Sequence, residues 1–393
     1  MGVTKALQKS HNLVILQVTP ELDAGGVERT TLEMAQAISR AGGLALVASA
    51  GGRLEPDLEA AGGELIRLPV NSKNPIQVAL NVARLEKLAK ARGVRLIHAR
   101  SRAPAWSALW AARRLKLPFV TTYHGIYNAR TPLKRLYNSV MAKGDIVIAN
   151  SEYTRAHVLR EYQLYPWQVV AIPRGADLEV FDSGRLDPAK VAAMRAAWGA
   201  KASDPPFVLI LPARLTRWKG QTVLIEAVAR VAARRPGAVK AILAGDPQGR
   251  RGYLQELNAR IASAGLRESV AIVGHVSQMA TAFGACDAAV FPSVEPEAFG
   301  RGAIEAQAMG LPVIAANHGG LAETVIDGET GFLVSPGDPA ALADAIERLL
   351  DMGAEARAAM GAKGKERVRQ FYAKTALQSA TLQVYEQLLG AES

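Results

Sequence analysis

Short apolar runs alternate with helix-length amphipathic stretches through the first 172 residues. The runs predict strands over 13–18, 44–49, 64–68, 95–98, 118–122, 145–149 and 169–172, because each is short, apolar and bounded by turn-forming residues. Between them, apolar positions recur every three or four residues and predict helices near 27–40, 74–91, 104–116 and 151–162. Strands that alternate with helices and read as continuous apolar runs belong to a parallel, doubly wound sheet. The pattern breaks over 173–206, where Pro173, Gly175, Gly184, Pro188, Pro205 and Pro206 surround one helical stretch. That punctuation reads as an interdomain connection. A second alternation follows, with strands near 207–211, 239–244, 269–273, 287–291, 312–315 and 331–334 and helices at 220–234, 252–264 and 301–309. The tail, 339–389, reads as wholly helical.

A chain of 393 residues exceeds one ordinary core, which agrees with two domains. Two α/β sheets in tandem place ligands at the carboxyl ends of both sets of strands, in a cleft between them. Apolar content of 49% with many glycines excludes a disordered or fibrous chain. Cys286 is the single cysteine, so no intramolecular disulfide forms and a reducing cytoplasm is expected. Its setting, Phe283-Gly284-Ala285-Cys286-Asp287, suits a small buried apolar residue better than a nucleophile. The first apolar run ends at Val18 and soon meets Pro20, Glu21 and Asp23, too short for a signal peptide or a membrane span.

Charge is uneven. Residues 1–180 hold 24 Lys/Arg against 14 Asp/Glu, whereas the remainder holds 23 against 22. Ten of these cations fall within 84–116. Such asymmetry points to an anionic partner for the first half, a phospholipid surface or a phosphorylated glycan ahead of nucleic acid. Trp106 and Trp110 share one helical face beside Arg113 and Arg114, which fits either a bilayer-dipping helix or an ordinary core face.

Three loops carry candidate chemistry. Gly25 and Gly26 open a helix directly after the first strand, where close backbone approach and free N–H groups suit an anion or a sugar. No G-x-G-x-x-G occurs, which argues against a nicotinamide enzyme. Arg214 and Lys219 follow the first strand of the second half, in Arg214-Leu215-Thr216-Arg217-Trp218-Lys219-Gly220, and suit a diphosphate as planar fork and point charge. No Asp-x-Asp occurs, so fixed cations stand in for a divalent metal and no metal site is expected. Glu297 and Glu305 bracket Ala298-Phe299-Gly300, a glycine turn into a helix that follows a buried strand. Two carboxylates at that spacing can accept hydrogen bonds from sugar hydroxyls. His124, before Gly125 at a strand's carboxyl end, completes the set.

Together these residues resemble glycosyltransferase family 4, retaining enzymes of the GT-B fold. The matching pieces are Gly25-Gly26-Val27-Glu28, His124-Gly125, Ile172-Pro173-Arg174-Gly175-Ala176-Asp177, Arg214 with Lys219-Gly220, and Glu-x7-Glu at 297–305. Gly319-Gly320-Leu321-Ala322-Glu323 and Gly328-Glu329-Thr330-Gly331 continue the pattern. Arg174 stands where the family more often has Asn, and Ala298 where it usually has Pro. The resemblance implies two Rossmann-like domains, an acceptor-side domain at 1–180 and a donor domain at 181–372, with a C-terminal helix, 373–390, returning to the first. It implies that Arg214 and Lys219 hold the donor diphosphate with the backbone near Gly26. By the same likeness Glu305 binds the ribose, while Glu297 and the backbone of Ala298, Phe299 and Gly300 bind the donor sugar. His124 then lies near the reacting face, and Val273, Gly274 and His275 border the base.

The resulting expectation is a metal-independent retaining glycosyltransferase without a cofactor. Its donor substrate is a nucleotide-diphosphate sugar and its acceptor a glycan or glycolipid of lipopolysaccharide or polysaccharide biosynthesis. It is expected to be cytoplasmic, peripheral at the inner face of the cell membrane, with an anionic membrane surface as a further partner and no nucleic acid. A GT-B nucleotide-sugar epimerase would need further acid/base carboxylates that these motifs do not supply. A non-catalytic sugar- or phosphate-binding protein would not need all of Arg214, Lys219, Glu297 and Glu305.

Overall fold

The computed structural model describes residues 13–23, 25–127, 131–200 and 206–390, so Ala24 and Pro205 lie outside the described residues. The chain forms two compact units. One comprises the chain through Pro173 together with residues from Thr375 onward; the other runs from Arg174 to Lys374. The crossing falls within the 173–206 connection read from the sequence, ahead of the 180–181 boundary that the resemblance implies.

The first unit holds seven strands: β1 Val14–Val18, β2 Leu44–Ser49, β3 Gly63–Arg67, β4 Leu96–Ala99, β5 Phe119–Tyr123, β6 Ile146–Ala149 and β7 Val169–Ala171. Every pair is parallel, in the order β3-β2-β1-β4-β5-β6-β7. Strands such as Ile146–Ala149 are buried at every position, which is why they read as unbroken apolar runs rather than alternating ones. One apolar cluster, including Leu16, Ile97, Phe119 and Val147, fills one face of the sheet. On the other face, Ile15, Val47, Leu96 and Ile148 pack with Leu377, Leu382, Val384 and Tyr385 from the last helix.

The second unit has six parallel strands: β8 Phe207–Pro212, β9 Val239–Ala244, β10 Val270–Gly274, β11 Ala288–Phe291, β12 Val313–Ala316 and β13 Gly331–Val334. Their order is β10-β9-β8-β11-β12-β13, again with a cluster on each face. Cys286 is buried among Ala282, Phe283 and Ala285, and burial pushes its thiol up, away from the reactive thiolate.

The tail is helical almost throughout, as the sequence predicts, but in separate pieces. It forms three helices, Pro339–Asp351, Ala354–Phe371 and Lys374–Gly390. The first begins where Asp338 accepts from the amides of Ala340 and Ala341 ahead of a proline. It stops at Met352, whose extended backbone cannot continue it. Ala373 breaks the next because it bridges Ala176 in strand-like pairing. In the first unit two short helices, Glu55–Ala60 and Pro132–Ser139, add to the sequence reading. At six and eight residues they show too few turns for a periodic signal.

Candidate active site

In the second unit, successive strands run outward from β8 to β9 and β10, then return to the other side of β8 at β11. The loops leaving β8 and β11 therefore diverge at a topological switch point, where open α/β sheets bind ligands. Arg214 and Lys219 follow β8, and Glu297 follows β11.

Backbone geometry locks these two loops together. Gly220 has φ 76°, and a Cβ there would collide with the carbonyl of Pro292. The amide of Val294 donates to the Trp218 carbonyl at 2.8 Å. Lys219 is thereby delivered to Glu297, Nζ to Oε2 2.7 Å, with side chains only 16% and 10% exposed. The Ser293 hydroxyl donates to the other Glu297 oxygen at 2.5 Å. The Glu297 main chain is pinned as well, its carbonyl accepting from the Gly320 amide at 2.8 Å. Lys219 Nζ also lies 4.3 Å from the centroid of the Trp218 ring. An ammonium has three donors, so one held by Glu297 leaves others for a phosphate oxygen.

Glu305 sits in the helix Arg301–Ala308, entered through Gly300 at φ 87°. Arg301 Nε donates to Glu305 Oε1 at 2.9 Å across one helical turn, both side chains largely buried. Arg214 is exposed, with one guanidinium nitrogen 3.4 Å from Gln248 Oε1, while its carbonyl accepts from Gln221 Nε2 at 2.9 Å. The neighbouring Arg217 is already committed to Glu256 as a two-pronged pair, which separates its role from that of Arg214. Phe299 points into the core, 3% exposed and edge-on to Tyr372, so only its backbone can reach a ligand. Val273 and Gly274 close β10 and His275 follows them, exposed, two strands away from β8 on the same carboxyl edge.

The first unit repeats the arrangement with its switch point between β1 and β4. Gly26 begins the helix Gly26–Arg40 after β1, with Gly25 as its cap. His124 follows β5, half-buried, its carbonyl accepting from Asn150 Nδ2 at 3.1 Å. Thus each sequence-selected residue lies at a carboxyl edge or on the helix leaving it: Gly25, Gly26 and His124 in one unit, the others in the second.

Of the ten cations within 84–116, Arg84, Lys87, Lys90, Arg113, Arg114 and Lys116 are exposed. Arg100 is 1% exposed and bound to Gln17 Oε1. Arg92 pairs with Glu64, Arg113 with Asp145 and Arg114 with Glu86. The two tryptophans part company too: Trp106 packs against the core and donates to the Tyr137 carbonyl at 3.2 Å, whereas Trp110 is 52% exposed.

Sequence reasoning passed over Ser293, Arg301 and His318. Arg301 four residues before Glu305 was a legible helical pair. Ser293 and His318 carried no such signal; His318 Nε2 lies 2.8 Å from the Ser293 carbonyl and steadies the loop whose Ser293 hydroxyl donates to Glu297.

Paired parallel-sheet units, with cations and carboxylates at a switch point, define a two-domain α/β class that binds ligands on strand ends. Two family models divide the chain between them: "Glycosyltransferase Family 4" over residues 24–180 and "Glycosyl transferases group 1" over 196–367. A glycosyltransferase from Rickettsia africae is 32% identical, with a TM-score of 0.89, over 96% of this chain and 99% of that one. Anabaena Alr3699/HepE, solved in complex with UDP and glucose, is 26% identical with a TM-score of 0.82, over 95% of this chain and 100% of that one. The D-inositol 3-phosphate glycosyltransferase of Corynebacterium diphtheriae is 34% identical over 210 residues, 53% of this chain and 48% of that protein. The chain's matches span 48% to 64% of the curated D-inositol 3-phosphate relatives. The chain belongs to glycosyltransferase family 4, and its fold is GT-B.

Proposed function

We propose that this protein transfers a sugar from a nucleoside-diphosphate sugar to a hydroxyl of a glycan or glycolipid, with retention at the anomeric carbon and without a metal. The observation that carries this reading is the Lys219–Glu297 pair, a cation and a carboxylate delivered from two loops to one point at the β8/β11 switch. Lys219 and Arg214 take the diphosphate and offset the charge that grows on it as the glycosidic bond breaks. Glu297, with the backbone through Gly300, takes the sugar hydroxyls; Glu305, oriented by Arg301, takes the ribose. Val273, Gly274 and His275 border the base. His124 and the Gly25–Gly26 backbone act from the first unit, on the reacting face and the phosphates.

The HepE complex with UDP and glucose makes a UDP-hexose the first donor to try. A cell-envelope lipopolysaccharide or polysaccharide precursor is the acceptor class we favour. The helix Pro132–Ser139 supports it: Leu133 and Leu136 are 79% and 60% exposed beside Lys134 and Arg135, a pattern suited to a glycolipid at an anionic membrane surface. Among the described residues no helix is long and apolar enough to cross a membrane.

The test is a panel of UDP-, GDP- and ADP-sugars, with nucleoside-diphosphate release read with and without lipid-linked acceptors. Acceptor-dependent release from one donor, abolished in Glu297→Ala, is the expected result. Isomerised donor without release, or binding without turnover across the panel, would overturn it.

A further inference from the structure

The first unit carries a concave surface at the opposite edge of its sheet from His124. It lies where β5, β6 and β7 begin. Trp110 and Arg113 border it from the helix Arg102–Leu115, Lys143 and Asp145 from the turn before β6, and Trp167 from the turn before β7. Its volume is about 620 Å³, within the roughly 300–1,000 Å³ of small-molecule sites.

Its chemistry is mixed in a telling way. Trp110 and Trp167 are 52% and 66% exposed, a large aromatic area to leave in water. Trp167 is held flat by Tyr165, stacked on it with centroids 6.1 Å apart and planes 7° from parallel. The Asp145 carboxylate is fully engaged, accepting from Arg113 at 2.8 Å and from the Phe119 amide at 2.8 Å. With that pair neutral, the exposed ammonium of Lys143 sets the sign of the wall, and Lys116, also exposed, extends it into an adjoining hollow.

We propose that this groove binds an anionic oligosaccharide, a chain bearing uronate or phosphate groups, at a place separate from the reaction. A sugar ring lays its C–H face on an indole while its hydroxyls turn outward to polar groups, which fits flat aromatic plates beside an ion pair and Gln387. The two exposed lysines supply the complement to its charge. A lipid surface fits less well. Dipping the indoles into hydrocarbon would dehydrate the Arg113–Asp145 pair that lines the same hollow, which no acyl chain can hydrogen-bond. The inference stands on the groove alone and does not require that the chain transfer sugars.

Titration of the whole protein with hexagalacturonate, maltohexaose and phosphatidylglycerol vesicles, read by tryptophan fluorescence and calorimetry, tests it. Hexagalacturonate should bind saturably, at least tenfold more tightly than maltohexaose, and weaken as salt rises. The Trp110→Ala/Trp167→Ala protein should lose at least tenfold in that affinity, and Lys116→Glu/Lys143→Glu should do so too, while both still bind UDP as the parent does. Equal affinity for the neutral and acidic chains, vesicle binding without oligosaccharide binding, or hexagalacturonate affinity unchanged in both variants would each overturn it. Because UDP binding is read in parallel, failure here is distinguishable from failure of the proposed transfer reaction.

Discussion

Replacing Glu297 with Gln should make the protein bind a bare nucleoside diphosphate more tightly, although it removes a residue of the site. The Glu297 carboxylate draws on Lys219 at 2.7 Å with little solvent around either group. At an effective dielectric of about 20, that separation gives a gross attraction of about 6 kcal/mol, most of it offset by the desolvation of both ions. Gln preserves the shape and an acceptor for the Ser293 hydroxyl but returns the full lysine charge to whatever else it touches. The difference between a charge-assisted and a neutral hydrogen bond is about 1 kcal/mol, so UDP should bind about fivefold more tightly. Lys219→Met should act in reverse, removing a charge-assisted bond of roughly 1.5–3 kcal/mol and weakening UDP by about one to two decades. In the double variant the new amide has no lysine left to release, so the affinity should match that of Lys219→Met alone, a coupling that a double-mutant cycle isolates. Isothermal titration with UDP reads all four proteins. If Glu297→Gln weakens UDP as Lys219→Met does, Lys219 does not divide its charge between Glu297 and the diphosphate, and the reasoning fails.

Three further outcomes are expected. Glu305→Ala should weaken UDP by roughly 1–3 kcal/mol, about one to two decades, and Arg301→Met should reproduce part of that loss while Arg301→Lys restores some of it; unchanged affinities would remove Glu305 from the ribose. Turnover should persist in excess EDTA, because Arg214 and Lys219 supply the positive charge; loss on chelation, restored by Mg²⁺ or Mn²⁺, would reverse that reading. Burial, then the nearby Arg100 charge, holds the His98 imidazole well below its ordinary value. The unfolded chain therefore takes up a proton below about pH 6.5 that the native state refuses, and stability should fall as pH drops through that window. Thermal melts from pH 7.5 to 5.5 should show a smaller loss in His98→Gln than in the parent, and equal losses would place the acid sensitivity elsewhere.

The sequence revealed most where one segment carried the whole signal. The strands β6 and β11 are buried and apolar at every position, so they stood out within a few residues. The Glu297–Glu305 segment was legible because a strand, a glycine turn and a helix start follow one another along the chain. What failed to show were pairings set by strand order. Lys219 meets Glu297 because β8 and β11 are neighbours in the sheet, although β9 and β10 separate them in sequence. Charge counting over 84–116 could not see the pairings there for a related reason: the partners Glu64 and Asp145 come from outside that window, and Arg100 turns inward toward Gln17. Trp106 and Trp110 share a helical face by spacing, but the indole of one reaches the carbonyl of Tyr137, which no helical wheel contains.

The last helix changes how this molecule must be made and handled. Leu377, Leu382, Val384 and Tyr385 belong to the core of the first unit, yet the entire second unit precedes them in the chain. Tyr385 is fully buried, its hydroxyl 2.6 Å from His98 Nδ1. On the ribosome the amino-terminal half must therefore wait, with part of one face of its sheet unsealed, until the other half has been synthesised. A single cut near Thr375 would damage the unit farthest from it in sequence and spare the one beside it.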